Sequence, residues 1–586
     1  MPSAVVSPQP KWWKSAVVYQ IYPASFCDSN GDGVGDINGI TSKLDYLKGT
    51  GVTCIWVSPF FQSPQKDMGY DISDYKNVHE PYGTVADVER LIEGCHERGL
   101  KVIFDLVINH TSDQHHWFKE SRSSKDSPKR DWYHWAPARY DADGNRQPPC
   151  NWRGAFGGSV WEWDETTEEC ELPPPLHPEQ PDVNWENADL RRALYDEAIL
   201  FWLERGCDGF RVDTVNMYSK HEFKDVPIID PATPWQPAAE KFCNGPRMHD
   251  YLREMNKETF SKFDCVTIGE LPCTPFDQIL DYVSAANAEL SCVIQFDLAD
   301  LDHGRGRFTL LKQDWELSQW KEITRISQSI ADPNLGDGWT TTYLENHDQA
   351  RSVTRYASDA PEHRVNASKM LATYVLSLTG TPLVYQGQEI GMKNCPQDWS
   401  IDKEFIDVGT VNCWTEIKQA AKEENKPELL KLGEEGIRLT ARDHARTPMQ
   451  WDSSPQAGFS SNPKTWMRVM DSYIEINAAS QVKGEGQRSS THAFYRHMIA
   501  LRKAHEDVFV FGSFELLDVT NPHTMTYIKR STSGKIALIV LNFTAEDQPF
   551  ELPTELKERK LDQVVDFGAG SGPLAAFEAR VFITSD

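Results

Sequence analysis

Eight short apolar runs recur along this chain, and amphipathic stretches separate most of them. The runs lie at 17–26, 52–60, 100–110, 207–215, 263–270, 290–298, 338–349 and 380–391. "ITSKLDYLKGTG" and "VADVERLIEGCHERG" read as helices closed by glycine, and the helical "NADLRRALYDEAILFWLERG" precedes the fourth run. Alternating β and α units imply a parallel sheet. Eight units with no evident reversal favour closure into a (β/α)8 TIM barrel, an α/β fold, over a doubly wound open sheet.

Two stretches break the rhythm. Residues 111–181, rich in Trp, Pro, Gly, Asp and His, exceed an ordinary loop and read as a small domain inserted after strand three. Residues 392–465 form a second long elaboration between strand eight and its helix. The helical "THAFYRHMIALRKAHED" then closes the barrel, which takes 1–110 and 182–510. From 511 to 586 the pattern changes to alternating strands, "HTMTYIKRS", "KIALIVLNFT" and "ARVFITS", expected to form a small antiparallel β-sandwich.

Charge narrows the partners. A formal net charge of -27 repels phosphate backbones and anionic bilayers, so nucleic acid and membrane are excluded as partners, whereas a neutral sugar meets no such objection. Nineteen tryptophans are enough to line a sugar site as well as a core. The twelve cysteines show no CxxC pair, as expected of buried thiols in a reducing compartment. "MPSAVVSPQPKWWKS" lacks an apolar signal region, and no apolar run reaches membrane-spanning length, so a cytoplasmic protein is expected.

The fourth run, "DGFRVDTV", places Arg211 and Asp213 two residues apart, hence on one face of a strand. Buried charge is costly unless paired or used. Alone, the pair reads equally as a structural ion pair. Other strand ends add Asn109-His110, Gly269-Glu270 and the sequence Glu345-Asn346-His347-Asp348. The C-terminal ends of barrel strands are where active sites form. An Asp213 kept ionised by Arg211 suits a nucleophile. Glu270, after the apolar "VTI", suits a general acid with a raised pKa. Asp348 supplies a third carboxyl. Two such groups with a supporting third fit glycoside hydrolysis.

"DSNGDGVGD", at 28–36, offers Asp28, Asn30, Asp32, Asp36 and the Val34 carbonyl as hard oxygen ligands between small residues. Such a loop suits Ca2+, and Mg2+ less firmly. It is not an EF-hand, since the position needing Glu is Gly39. No organic cofactor is expected.

In combination, "WWKSAVVYQIYPASFCDSNGDGVGDINGI", "GYDISDY", "DLVINHTSDQHHWF", "QPDVNWEN", "GFRVDTV", "TIGE", "ENHDQ", "GTPLVYQGQEIGM" and "ARDHARTPMQW" closely resemble the α-glucosidase and oligo-1,6-glucosidase branch of glycoside hydrolase family 13, the α-amylase clan. The resemblance runs nearly the whole length. It implies the barrel, the inserted domain, the C-terminal β-domain and retaining hydrolysis of terminal α-linked glucose from short sugars.

By that resemblance Asp213 is the nucleophile, Glu270 the acid/base and Asp348 the transition-state stabiliser. Asp71 holds the non-reducing glucose, with Tyr70 as its stacking neighbour. His110, Arg211 and His347 contact hydroxyls and carboxylates, and Arg442 pairs with the glucose-binding aspartate. Phe156 and Gln180 form walls of the pocket, and the 28–36 loop matches the family's Ca2+ or Mg2+ site. Thr214, after the nucleophile, resembles the maltase type, which acts on α-1,4 bonds, where isomaltases carry Val. The expected substrates are maltose and short malto-oligosaccharides, with sucrose a further candidate. Isomaltase and transglucosylase activity stand as alternatives, as does a non-catalytic, transporter-associated subunit.

Overall fold

The computed structural model describes residues 11–585 apart from 155–156, 173–178, 305–306, 333–335, 485, 487, 569 and 571. Eight parallel strands form one sheet: β1 (Val18–Ile21), β2 (Cys54–Val57), β3 (Lys101–Leu106), β4 (Gly209–Val212), β5 (Val266–Glu270), β6 (Cys292–Ile294), β7 (Thr341–Thr342) and β8 (Thr381–Tyr385). Each pairs with the next, and β8 returns to β1 through Leu383 opposite Val18. A parallel bridge between Val293 and Thr340 joins β6 to β7 and closes the ring. The barrel expected from the alternation is present.

Side-chain alternation sorts each strand into two faces. Val18, Cys54, Ile103, Val266, Cys292 and Leu383 pack together with Trp56, Ile268 and Ile294 in one cluster. Tyr19, Ile55, Val102, Phe104, Phe210 and Val212 belong to the larger cluster shared with the helices. On the first face the run turns polar toward the C-terminal strand ends, with Gln20, Asp105, Arg211 and Glu270 all buried. The strands therefore carry an apolar floor and a charged upper layer. Gly209, at φ +140°, opens β4; a Cβ there would meet the Val266 carbonyl oxygen at 2.0 Å, so only glycine lets β4 approach β5.

The inserted segment is pinched at its base, where His110 bridges Asp182 and Tyr133 bridges Val183. It holds the helix His116–Arg122 and a three-stranded antiparallel sheet of Trp135–Ala136, Glu169–Glu171 and Glu162–Asp164. Its core of Cys150, Trp152, Trp161 and Cys170 continues into Met217, Val226 and Phe242, which follow β4. The second elaboration contributes the helices Val408–Glu423 and Glu428–Thr440. Asp407 caps the first of these by accepting from the Thr410 N–H at 3.1 Å. Helix Thr491–Ala504 then packs back on helix Arg364–Ser377.

The C-terminal strands β9 (Ser513–Leu516), β10 (Thr524–Arg530), β11 (Ile536–Asn542), β12 (Leu561–Asp566) and β13 (Ala579–Thr584) form one antiparallel sheet in the order β9-β10-β11-β13-β12. One face joins the main core through Tyr527, Ile539 and Val581. The other is covered by Phe550, Leu552, Leu556 and Leu574. These residues lie outside the five strands, so the outer layer of the expected sandwich is built largely from connecting segments.

The 28–36 loop braces this assembly. Asp28 accepts from the N–H groups of Asn30, Gly31 and Gly33 and from the Ser460 hydroxyl. Asp36 caps the following helix through the Gly39 N–H at 2.7 Å. Gly33, at φ +97°, lies so close to Lys464 that a Cβ would reach its carbonyl oxygen at 2.3 Å. The loop thus ties the end of β1 to the second elaboration.

Candidate active site

Arg211 and Asp105 occupy matched positions on β4 and β3. Both are buried, and their side chains meet at 2.6 Å. The same guanidinium reaches Asp213 Oδ1 at 2.8 Å and Glu270 Oε1 at 2.6 Å. Trp56 Nε1 and the Tyr70 hydroxyl donate to Asp105 Oδ2, each at 3.1 Å. Asp105 was not apparent as a functional position from sequence. Its signal is a buried carboxylate in register with a buried arginine on the neighbouring strand.

One cation cannot neutralise three carboxylates in a dry interior, so protons are held more tightly there. Burial raises Asp213 to about 6, against the opposing pull of Arg211. Burial likewise raises Asp105 to about 6 and Glu270 to about 7. Glu270 is the group most ready to keep a proton near neutrality.

Thr214 joins the two reactive carboxyls a second time. Its N–H donates to Glu270 Oε2 and its hydroxyl to Asp213 Oδ2, both at 3.1 Å. To do this it sits at φ +37°, ψ +42°, the left-handed region that a β-branched residue rarely enters. Strain of this kind costs on the order of 1–3 kcal/mol and persists where surrounding structure imposes it.

Asp348 has the opposite electrostatic surroundings. Burial alone would raise its pKa, but His347, Arg442 and Arg446 hold it well below the ordinary carboxylate range. Arg442 Nη1 lies 2.9 Å and Arg446 Nη2 3.1 Å from Asp348 Oδ1, while His347 Nε2 lies 2.9 Å from Oδ2. Both arginines also pair with Asp407 at 2.8 Å. Burial pushes the pKa of His347 down, against the opposing pull of Asp348. Gln20 Nε2 approaches its Nδ1 at 2.9 Å, which assigns the ring proton to Nε2. The ring stacks on Tyr70, with centroids 5.2 Å apart and planes 6° from parallel.

These groups line a cavity of about 500 Å³ whose walls include Asp67, Tyr70, Asp213, Thr214, Glu270, His347, Asp348 and Arg442. The inserted domain adds Arg153, and the second elaboration adds Asp407 and Glu416. The three carboxyls from separate strand ends therefore converge on one chamber.

Asp71 does not take the position expected of it. It is 0% exposed, and its carboxylate accepts from the Ser63 hydroxyl and the N–H groups of Lys66 and Asp67. It is committed to holding its own turn. Asp67, four residues earlier, faces the cavity and lies 3.7 Å from Arg442 Nη2. The pairing expected of Arg442 is with Asp71; the structure sets it against Asp67 instead, because Asp71 is consumed by its own turn. Gln180 donates to Asp67 Oδ2 at 3.2 Å, so it backs the wall through that aspartate. His110 is fully buried, its Nε2 3.1 Å from the Tyr70 carbonyl oxygen. Phe156 lies outside the described residues. Asp67, Asp105, Asp407 and Arg446 are additional site residues; Arg446 stands in the quoted "ARDHARTP" beside Arg442.

In the 28–36 loop, Asp28, Asn30 and Asp32 each accept from the N–H two residues on, a repeated turn pattern. Among the described residues no three His, Cys, Asp or Glu side chains converge as a metal cluster.

A family model for the alpha amylase catalytic domain matches residues 20–512. A protein named alpha-glucosidase from Candida albicans is 46% identical over 581 residues, covering 98% of this chain and 99% of its own. An oligo-1,6-glucosidase from Parageobacillus thermoglucosidasius is 42% identical over 93% of this chain and 92% of its own. The structure of an isomaltulose synthase mutant from Erwinia rhapontici NX5, in complex with sucrose, superposes with a TM-score of 0.89 at 36% identity, covering 99% of this chain and 100% of that one. With a family model spanning most of its length and full-length relatives this similar, the chain belongs to the alpha-amylase family of glycoside hydrolases.

Proposed function

We propose that this enzyme is a retaining, exo-acting α-glucosidase that releases α-glucose from the non-reducing end of maltose and short malto-oligosaccharides. The observation that carries the reading is the double bridging of Asp213 and Glu270 by Arg211 and Thr214. Carboxyls this tightly tied suit the close spacing of a retaining pair, about 5–5.5 Å, better than the wider spacing that admits a water in inverting enzymes. Asp213 attacks the anomeric carbon and forms a glucosyl ester. Glu270 gives its proton to the leaving oxygen, then takes one from the water that cleaves the ester. Asp348, held ionised, stabilises positive charge that develops on the sugar ring. Asp67 and Arg442 bind hydroxyls of the terminal glucose.

The α-1,4 preference rests on Thr214, the maltase-type residue by resemblance. Its hydroxyl touches Asp213 at the floor of the chamber, where the second sugar must be oriented for cleavage. The test is purified enzyme on maltose, isomaltose, sucrose, maltotriose and starch, with the anomer of released glucose followed. Faster turnover of maltose than isomaltose, with α-glucose as first product, supports the reading. Release of β-glucose contradicts retention, and preference for starch contradicts action on short sugars.

The 28–36 loop is proposed to hold Ca2+, or Mg2+, through Asp28, Asn30, Asp32, the Val34 carbonyl and Asp36. An all-oxygen donor set suits a hard cation. Each carboxylate oxygen has two lone pairs; those of Asp28 are taken by Asn30, Gly31, Gly33 and Ser460, so the ion rests on the lone pairs left on Asn30 Oδ1, Asp32 Oδ1 and Asp36 Oδ2 and on the Val34 carbonyl, with Asp28 adding its charge beside them. Such an ion supplies charge neutralisation to the loop. The loop braces β1 against the second elaboration, so the role is structural. Among the described residues no helix is long and apolar enough to cross a membrane. All twelve cysteines are free, which fits the cytoplasmic location proposed here.

A further inference from the structure

One cysteine in the wall of the catalytic cavity has a second just behind it. Cys273 follows β5 by three residues, lines the cavity beside Glu270 and Pro272, and is exposed. Cys243 is buried and ends the short helix Ala239–Phe242, whose Ala239 and Phe242 line the same cavity. The side chains of the residues that follow them, Asn244 and Thr274, meet at 3.1 Å, and the two thiols interact electrostatically.

Their backbones are locked together. Asn216 Nδ2, from the turn that carries Asp213, donates to the Pro272 carbonyl at 2.6 Å and to Thr274 Oγ1 at 2.8 Å. Thr274 Oγ1 and the Tyr282 hydroxyl both donate to Asn244 Oδ1, at 3.1 and 2.7 Å. The Asn244 N–H returns to the Asn216 carbonyl at 2.8 Å. Pro272 and Thr274, on either side of Cys273, and Asn244, after Cys243, are thus clamped, and the clamp is fastened to the catalytic turn. Asn244 and Cys273 both sit at φ +54°, a conformation that non-glycine residues rarely adopt. Nothing in the hydrolytic chemistry uses either thiol.

We propose that Cys243 and Cys273 form an oxidisable dithiol, a reversible disulfide site in the cavity wall, closed by a peroxide of the hydrogen peroxide class. Cys243 beside it holds the Cys273 thiol below its ordinary pKa. Together with its exposure, this makes Cys273 the attacking thiolate. Its sulfur attacks the peroxide, an S–O bond forms, the O–O bond breaks, and the departing hydroxide takes a proton to become water. Cys243 then attacks the sulfenic sulfur; an S–S bond forms, the S–O bond breaks, and the hydroxyl leaves as a second water with the Cys243 proton. Two thiols lose two electrons and one peroxide gains them.

A disulfide fixes its own geometry and moves any residue that does not already match it. Cys273 lies three residues from Glu270 on continuous chain, so closure shifts the acid/base carboxyl. A misplacement of about 1 Å in a reacting group costs on the order of 10²-fold in rate.

The experiment treats the full-length enzyme with hydrogen peroxide at near-stoichiometric levels, maps its peptides by mass spectrometry and measures kcat/KM on maltose. The expected result is a linked peptide pair carrying Cys243 and Cys273, with a loss of about tenfold or more in kcat/KM that dithiothreitol restores. In Cys243→Ser the link is absent, Cys273 goes on to irreversible sulfinic acid, and dithiothreitol restores nothing. Cys243 and Cys273 recovered as free thiols while other cysteines oxidise overturns the proposal. A linked pair with unchanged kcat/KM overturns its effect on catalysis. The activity arm rests on the glucosidase reading, but the peptide map uses no sugar, so the two can fail separately.

Discussion

Asp213 and Glu270 are held by the two ends of one guanidinium: Arg211 Nη1 lies 2.8 Å from the first and Nη2 2.6 Å from the second. This relationship sets the pH dependence. Asp213 must be ionised to attack and titrates near 6; Glu270 must be protonated to act as acid and titrates near 7. Activity rises as pH climbs through the first value and falls as it climbs through the second. We therefore expect a narrow bell in kcat/KM with its maximum between the two, the limbs belonging to the coupled pair. A profile flat from about pH 5 to about pH 8 contradicts the assignment.

Asp67 and Asp71 separate by kinetics. Asp67→Asn removes a cavity carboxylate that faces Arg442 and is expected to raise KM for maltose by about tenfold or more with the fold intact. Asp71→Asn weakens a buried turn and is expected to lower the melting temperature, with a smaller effect on KM. The reverse pattern would restore Asp71 as the glucose ligand.

This pair shows where sequence reading stops. "QKDMGYDISDY" offers three aspartates within eight residues, and period alone cannot say which one the turn consumes. The barrel was legible because strand runs and helices alternate over hundreds of residues. The positions of Asp213, Glu270 and Asp348 were legible because strand ends in a barrel share one level. Asp105 was not, because its meaning depends on which residue of β4 stands opposite it, and register is a tertiary fact. Asp407 was hidden for a similar reason: it lies far along the chain from Asp348 and is joined to it through Arg442 and Arg446. In the C-terminal region, alternation revealed strands but not that connecting segments would cover their outer face.

Thr214→Val tests linkage preference. Valine keeps the branched shape but cannot donate to Asp213 Oδ2. The ratio of kcat/KM on maltose to that on isomaltose is expected to fall several-fold, a change of about 1 kcal/mol in relative transition-state binding. An unchanged ratio removes Thr214 as the determinant.

The metal proposal is tested away from activity. EDTA treatment should lower the melting temperature, and added Ca2+ should restore it, because a ligand bound only by the folded state stabilises it. The carboxylate chamber lies apart from this loop, so kcat at a temperature below the transition should change little. No thermal shift, with no ion found by elemental analysis, would count against the site.

The most direct test of the whole account is the kcat of Asp213→Asn on maltose, measured beside its melting curve. An amide in place of the nucleophile cannot form the glucosyl ester, so kcat is expected to fall by at least about three decades while the protein still melts cooperatively. A folded Asp213→Asn enzyme with kcat near that of the parent would show that covalent catalysis through this carboxylate is not how the enzyme works.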